Sequence, residues 1–230
     1  MKNKIIFVAC DASNIKKVKN IIIQTKNNKL KIIPKFGLQL FYSKNGRLFL
    51  EKFKRDFWLD LKINDIPQTA LSAIQSLKDL KKCKYITVHA SGGLDMLKVV
   101  KKHARKVNKN LKVLGVTILT SLNNKSLKEI GHTKNVQQLV LKQAGIIKKS
   151  GCDGIICSPQ ESKMIRKKFK NLLIITPGIR LPGDNANDQA RVMTPKEAFK
   201  NKVSGVVMGR SLTKGNIKYN VKKLIDHLSL

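Results

Sequence analysis

Short apolar runs recur along the chain, each followed by a polar break and then a stretch with helical spacing. The runs are Ile5–Cys10, Lys31–Phe36, Asp56–Leu61, Tyr85–His89, Val113–Leu119, Gly154–Cys157, Leu172–Thr176 and Gly205–Met208. Several are apolar at consecutive positions, as parallel strands buried on both faces require. Between them, Ser13 is placed to cap a helix that turns Ile15, Val18, Ile21 and Ile22 inward. Pro67 opens another, with Ala70, Ile74 and Leu77 on its inner side. Leu94–Val107 and Val136–Lys149 keep the same period, and Asn216–Leu228 closes the chain with Val221, Leu224, Ile225 and Leu228. The segment after Lys35 is the least regular, with Phe41, Leu48 and Phe53 around Asn45-Gly46. No linker or composition break divides the sequence. Eight strands alternating with helices predict an α/β protein, a single (β/α)8 TIM barrel over residues 1–230. An open doubly wound sheet is the competitor, disfavoured by eight strands and by a site spread over many strand ends.

Barrels of this kind hold their chemistry at the carboxyl ends of the strands. Those ends read Asp11, Lys35, Asp60-x-Lys62, His89, Thr120-Ser121, Ser158, Pro177-Gly178-Ile179-Arg180 and Gly209-Arg210. The densest is the stretch Phe57 to Thr69, F-W-L-D-L-K-I-N-D-I-P-Q-T, where a hydrophobic strand runs out into Asp60, Lys62 and Asp65. Strand side chains alternate faces, so positions 60 and 62 are expected to point the same way. A lone D-x-K at a strand end is ordinarily a solvated ion pair. With Lys35 it supplies two cations and two anions that converge at one mouth, each holding its neighbour ionised. A lysine so pinned is a poor Schiff-base nucleophile. It is a good proton donor and a good anchor for developing negative charge.

Across the barrel, Arg180 follows strand seven and Gly209-Arg210 ends strand eight, the loops at which such barrels commonly bind phosphate. Glycine lets backbone N–H groups approach, and arginine adds bidentate donors. The connection Leu181–Thr194 is rich in small and polar residues and is expected to close over a ligand as a lid, with Gln189 as a contact. Spacing alone therefore supports a small phosphorylated substrate whose reacting end meets a Lys/Asp cluster.

Composition changes this picture little. The formal net charge is +33, with 47 lysines and arginines against 14 carboxylates. Such a charge attracts nucleic acid nonspecifically. Yet all but seven of these cations are lysines spread over nearly every helical segment, and aromatic residues make up only 5%. Dedicated nucleic-acid readers concentrate arginine and stacking rings at the contact, so a drift toward lysine on solvated faces is the simpler account and no specific nucleic acid is expected. No apolar run nears the roughly 20 residues that span a bilayer, and Ile5–Cys10 is too short for a signal sequence, so no membrane association is expected and the compartment is the cytoplasm. Cys10, Cys83, Cys152 and Cys157 have no C-x-x-C spacing and read as small buried hydrophobes. His89, His103, His132 and His227 form no H-x-x-x-H pair, so a metal site has no support.

The motifs together resemble the orotidine 5'-phosphate decarboxylase family. Beside F-W-L-D-L-K-I-N-D-I-P-Q-T stand V-A-C-D at Asp11, P-K-F-G at Lys35, T-V-H-A at His89, V-T-I-L-T-S at Thr120, T-P-G-I-R at Arg180, D-Q-A-R at Gln189 and V-M-G-R-S at Arg210, in the family's order. The resemblance implies that Lys62 protonates C6 of the pyrimidine after carbon dioxide leaves, with Asp60 and Lys35 holding it in the charged network and Lys35 near the ribose. It implies that Asp11 binds a ribose hydroxyl and that Thr120 or Ser121 lies near the base. Pro177, Arg180, Gln189, Gly209 and Arg210 are then expected around the phosphate. It implies a homodimer in which Asp65, with Ile66 and Thr69, reaches into the partner subunit's site. No cofactor and no metal are implied, so positioned charge must stabilise the carbanion.

Magnesium-dependent sugar-phosphate decarboxylases and hexulose-phosphate synthases of the same superfamily share D-x-K-x-x-D, with a glutamate ligand at the second strand end. Here Lys35 stands at that place, and an ammonium repels magnesium. The position favours orotidine 5'-phosphate as the substrate. A basic nucleic-acid-binding protein is the alternative from a different class.

Overall fold

A computed structural model describes residues 4–184 and 192–229 of the chain. Eight parallel strands close into one barrel in sequence order: β1 (Ile5–Ala9), β2 (Lys31–Gly37), β3 (Phe57–Ile63), β4 (Cys83–His89), β5 (Lys112–Val116), β6 (Gly154–Ile156), β7 (Leu173–Thr176) and β8 (Gly205–Met208). Strand β1 pairs with β2 on one side and with β8 on the other, which completes the ring. The (β/α)8 reading of the sequence is therefore correct.

The helices lie between the strands. They are α1 (Ile15–Gln24), α2 (Leu38–Phe41), α3 (Gly46–Lys52), α4 (Pro67–Gln75), α5 (Gly93–Val107), α6 (Asn124–Glu129), α7 (Val136–Lys149), α8 (Pro159–Lys168), α9 (Pro195–Lys200), α10 (Arg210–Thr213) and α11 (Ile217–Leu228). The irregular stretch after Lys35 resolves into the two short helices α2 and α3. Helix α1 is capped by Asn14, whose side chain accepts from the Lys17 N–H, and not by Ser13 as expected. Both are good caps, and the register of Val18, Ile21 and Ile22 against the barrel decides between them. Asn216 caps α11, so the helix begins one residue later than its apolar pattern suggests.

Strand alternation divides the core in two. Phe7, Trp58, Tyr85, Leu114, Ile175 and Val207 point inward and fill the barrel. Trp58 and Tyr85 both meet the Phe7 ring edge-on, at 4.8 and 5.2 Å between centroids. This plug closes the barrel below the site. Phe36, Phe57, Leu59, Ile86 and Val88 point outward under the helices, and Phe36 packs against Phe49 and Phe53 of the α3 region. Each fully buried side chain of this kind contributes about 1.5–3 kcal/mol relative to exposure.

Polar ties hold the amino-terminal rim. Asp153 pairs with the buried Lys101 of α5 and accepts the Val113 N–H at 2.8 Å. Arg166 of α8 gives Nε to the Lys202 carbonyl at 3.1 Å, Nη1 to the Leu172 carbonyl at 2.9 Å and Nη2 to Ser204 Oγ at 3.3 Å. All four cysteines are free and buried. Burial pushes the Cys10 and Cys83 thiols up to about 12, which suits inert core groups. Among the described residues no helix is long and apolar enough to cross a membrane.

Candidate active site

The carboxyl ends of the strands surround a cavity of about 310 Å³. Asp11, Lys35, Asp60, Lys62, Thr120, Pro177, Arg180, Gly209 and Arg210 line it, each anticipated from the sequence. Ala9, Trp58, Val116, Ile118, Ile156 and Val207 supply an apolar floor and wall.

One side of the cavity is a chain of alternating charges. Lys35, on the inward face of β2, is buried, and its Nζ lies 3.2 Å from Asp11 Oδ1 and 3.2 Å from Asp60 Oδ2. Lys62 Nζ approaches the same Asp60 oxygen at 2.9 Å. Asp60 Oδ1 accepts the Thr87 hydroxyl at 2.8 Å. Burial alone would discharge both Lys35 and Asp60. For Lys35 the carboxylates of Asp60 and Asp11 outweigh desolvation and hold its pKa above the ordinary value. For Asp60 desolvation is likewise outweighed, by Lys35, Lys62 and the Thr87 hydrogen bond, and its pKa lies below the ordinary value. The charges thus persist because they come as a set. Gly37 makes room for it: a Cβ there would stand 3.1 Å from Asp11 Oδ1.

The alternation rule gave the right outcome at Lys62 by the wrong route. Strand β3 loses register with β4 between Leu59, opposite Ile86, and Ile63, opposite Val88. Lys62 sits in this bulge at φ 52, the left-handed region that non-glycine residues seldom enter, at a cost of about 1–3 kcal/mol. Its side chain returns to Asp60 because the backbone turns there. His89, at the end of β4, is half-buried. Desolvation and then Lys62 lower its pKa against the pull of Asp60, which favours a neutral ring beside the ammonium.

The opposite side carries two guanidiniums. Gly178, at φ 75, makes the turn after β7 that only glycine enters freely, and it places Arg180 at the rim. Arg180 is buried, with Nη1 donating to the Ile179 carbonyl at 3.0 Å. Burial and then the neighbouring Arg210 lower its pKa, opposed by Asp184. Two cations so close suit a doubly charged anion between them. Met193 bridges back to this turn, its N–H donating to the Gly178 carbonyl and its carbonyl accepting the Arg180 N–H. The ends of the expected lid are therefore fixed to the rim. Gln189 and half of that connection, residues 185–191, lie outside the described residues.

Four anticipated residues do not line the cavity. Ser121 is exposed beyond Thr120, and Asp65, Ile66 and Thr69 are exposed on the loop after β3 and the first turn of α4. Asp65 Oδ1 accepts the Ile66 N–H at 2.7 Å, and Ile66 keeps 66% of its surface in water. Ser158, at the end of β6, is fully buried as the cap of α8. Thr87 and the wall residues Trp58, Ile118 and Val207 were missed. The signal for Thr87 was its place two residues before the strand-end His89, on the same face of β4 as Tyr85.

Residues 4–222 match the family model described as the orotidine 5'-phosphate decarboxylase / HUMPS family. The orotidine 5'-phosphate decarboxylase of Staphylococcus epidermidis is 40% identical over 183 residues, 78% of this chain and 79% of its own. That of Wigglesworthia glossinidia brevipalpis is 37% identical, over 100% of this chain and 99% of its own. The crystal structure of the orotidine 5'-phosphate decarboxylase from Lactobacillus acidophilus superposes with a TM-score of 0.81 at 30% identity, covering 98% of this chain and 99% of that one.

Proposed function

Because the chain belongs to the orotidine 5'-phosphate decarboxylase / HUMPS family, we propose that it converts orotidine 5'-phosphate to UMP and carbon dioxide, with no cofactor or metal. The observation that carries this reading is the position of Lys35, whose ammonium lies between Asp11 and Asp60. In the magnesium-dependent branch the same place must offer a ligand to a cation. An ammonium already spends both carboxylates there.

The substrate fits the cavity in one direction. Its phosphate goes to Arg180 and Arg210, with Gln189 reaching it from the connecting loop, and Pro177 and Gly209 let the backbone approach. The ribose lies toward Asp11 and Lys35, and the base rests against the apolar wall near Thr120, the one of the pair Thr120 and Ser121 that lines the cavity. C6 then faces Lys62. The bond from C6 to the carboxylate breaks, carbon dioxide leaves, and the electron pair stays on C6. Lys62 Nζ gives its proton to that carbon and recovers one from water. Asp60 anchors the ammonium before transfer, and Lys35 offsets the negative charge of Asp60, so the site is charged and fixed before the carbanion forms. Binding energy from the remote phosphate is used at the reacting carbon.

Asp65, Ile66 and Thr69 complete the site from a second copy of the chain. Their exposure at the rim, outside their own cavity, supports a homodimer with shared sites. The test of the activity is decarboxylation of orotidine 5'-phosphate in excess chelator. Full turnover is expected, and inhibition reversed by magnesium would move the chain to the metal-dependent branch.

A further inference from the structure

Thr87 is fully buried in β4, and one oxygen serves two neighbours at once. Asp60, Leu61 and Lys62 all stand against it, because Leu59 pairs with Ile86 and Ile63 with Val88. Lys62, in its left-handed conformation, donates its backbone N–H to Thr87 Oγ1 at 3.0 Å. The hydroxyl proton goes on to Asp60 Oδ1 at 2.8 Å. That leaves Asp60 Oδ2 turned to the ammoniums of Lys35 and Lys62, at 3.2 and 2.9 Å.

We propose that Thr87 is a positioning residue for the Lys62 proton donor: its hydroxyl fixes the backbone turn that aims the ammonium and the carboxylate rotation that anchors it. The task needs a donor and an acceptor on one short side chain, which a hydroxyl supplies. A carboxylate has no proton to give Asp60, and an amide is too long for the space between adjacent strands. The β-branch adds stiffness, because threonine χ1 is restricted beside its own backbone. The inference rests on the reading of Lys62 given above.

The test compares Thr87→Val, which keeps shape and loses both hydrogen bonds, with Thr87→Ser, which keeps the hydroxyl. The measurements are kcat and KM for orotidine 5'-phosphate, corrected for folded fraction by circular dichroism, and the Kd for UMP. Misaiming the donor by an ångström predicts a fall in kcat of about 10- to 100-fold in Thr87→Val. KM and the UMP Kd should move less than about threefold, since the phosphate grip is remote, and Thr87→Ser should recover most of kcat. A purely structural hydroxyl would lower the folded fraction and leave kcat per folded site unchanged, which overturns the proposal. Lys62→Ala is assayed beside them: should it turn over like wild type, the reading of Lys62 fails, whereas a dead Lys62→Ala beside an unimpaired Thr87→Val removes Thr87 alone. A crystal structure of Thr87→Val decides independently of turnover. Lys62 is expected to leave the left-handed region or its Nζ to part from Asp60, and an unmoved Lys62 overturns the proposal.

Discussion

Asp60 and Lys62, two residues apart in β3, form their 2.9 Å ion pair through a left-handed backbone at the lysine. A regular strand would set the two side chains parallel, side by side. The bulge turns one upon the other and strengthens the local twist where the barrel meets its ligand.

The first consequence is catalytic. Lys62→Ala should lower kcat on orotidine 5'-phosphate by about 10³-fold or more, at the upper end of what loss of one preorganised electrostatic group costs. The fold should survive, because Lys62 is only partly buried. A thermal melt within a few degrees of wild type, measured beside the assay, checks both halves.

Asp60→Asn should be the more damaging change to stability. It leaves Lys35 buried, with Asp11 as its one remaining carboxylate, and removes the anion shared by two ammoniums. Breaking a buried pair costs about 3–5 kcal/mol, and the remaining contact to Asp11 places this case near 3 kcal/mol. Urea unfolding at neutral pH reads it directly, and a loss smaller than that of Lys62→Ala would contradict the burial argument.

The same pair fixes how stability depends on pH. Asp60 has a lowered pKa in the fold, so its contribution is complete above its ordinary value of 3.8 and declines as acid takes the pH below it. Lys35 has a raised pKa, so its contribution is complete below 10.5 and declines as the pH rises beyond. Between those limits the pair adds a constant amount. In Asp60→Asn the burial of Lys35 is opposed by Asp11 alone, so its ammonium loses most of its support and the deficit in unfolding free energy against wild type should shrink as the pH rises from neutral toward 10.5. A deficit that grew over that range in urea unfolding would contradict it.

Arg210→Ala should act through the phosphate. One charge-assisted hydrogen bond is worth about 1.5–3 kcal/mol, which predicts a 10- to 100-fold loss in kcat/KM for orotidine 5'-phosphate. Orotidine, lacking the phosphate, should lose little, and an equal loss for both substrates would remove Arg210 from the phosphate site.

The proposed homodimer with shared sites predicts complementation. Lys62→Ala and Asp65→Ala are each expected to be inactive alone. After unfolding and refolding together in equal amounts, random pairing gives half mixed dimers with one intact site each, and about a quarter of wild-type activity should return. No recovery would place Asp65 in its own subunit's site or outside the chemistry.

Much of this was legible in the sequence because strand ends in a barrel are positions of known meaning. Lys35, Asp60 and Arg180 were readable from their place after apolar runs, and the cavity gathers them. The bulge at Lys62 was not, since nothing in L-D-L-K-I marks two extra residues against I-T-V. Thr87 was hidden for a related reason. A threonine inside a strand is ordinary filler by propensity, and only its register against Asp60 gives it a task. The exchange of Ser13 for Asn14 as a cap is of the same kind, a choice between equivalent signals made by packing elsewhere.

The tie made by Arg166 bears on how far such a chain can change. Its planar head satisfies four separate acceptors, from Lys170, Leu172, Lys202 and Ser204, simultaneously, which a single ammonium has no geometry to reproduce. Exchange of Arg166 for lysine would therefore break this joint even though the charge is kept.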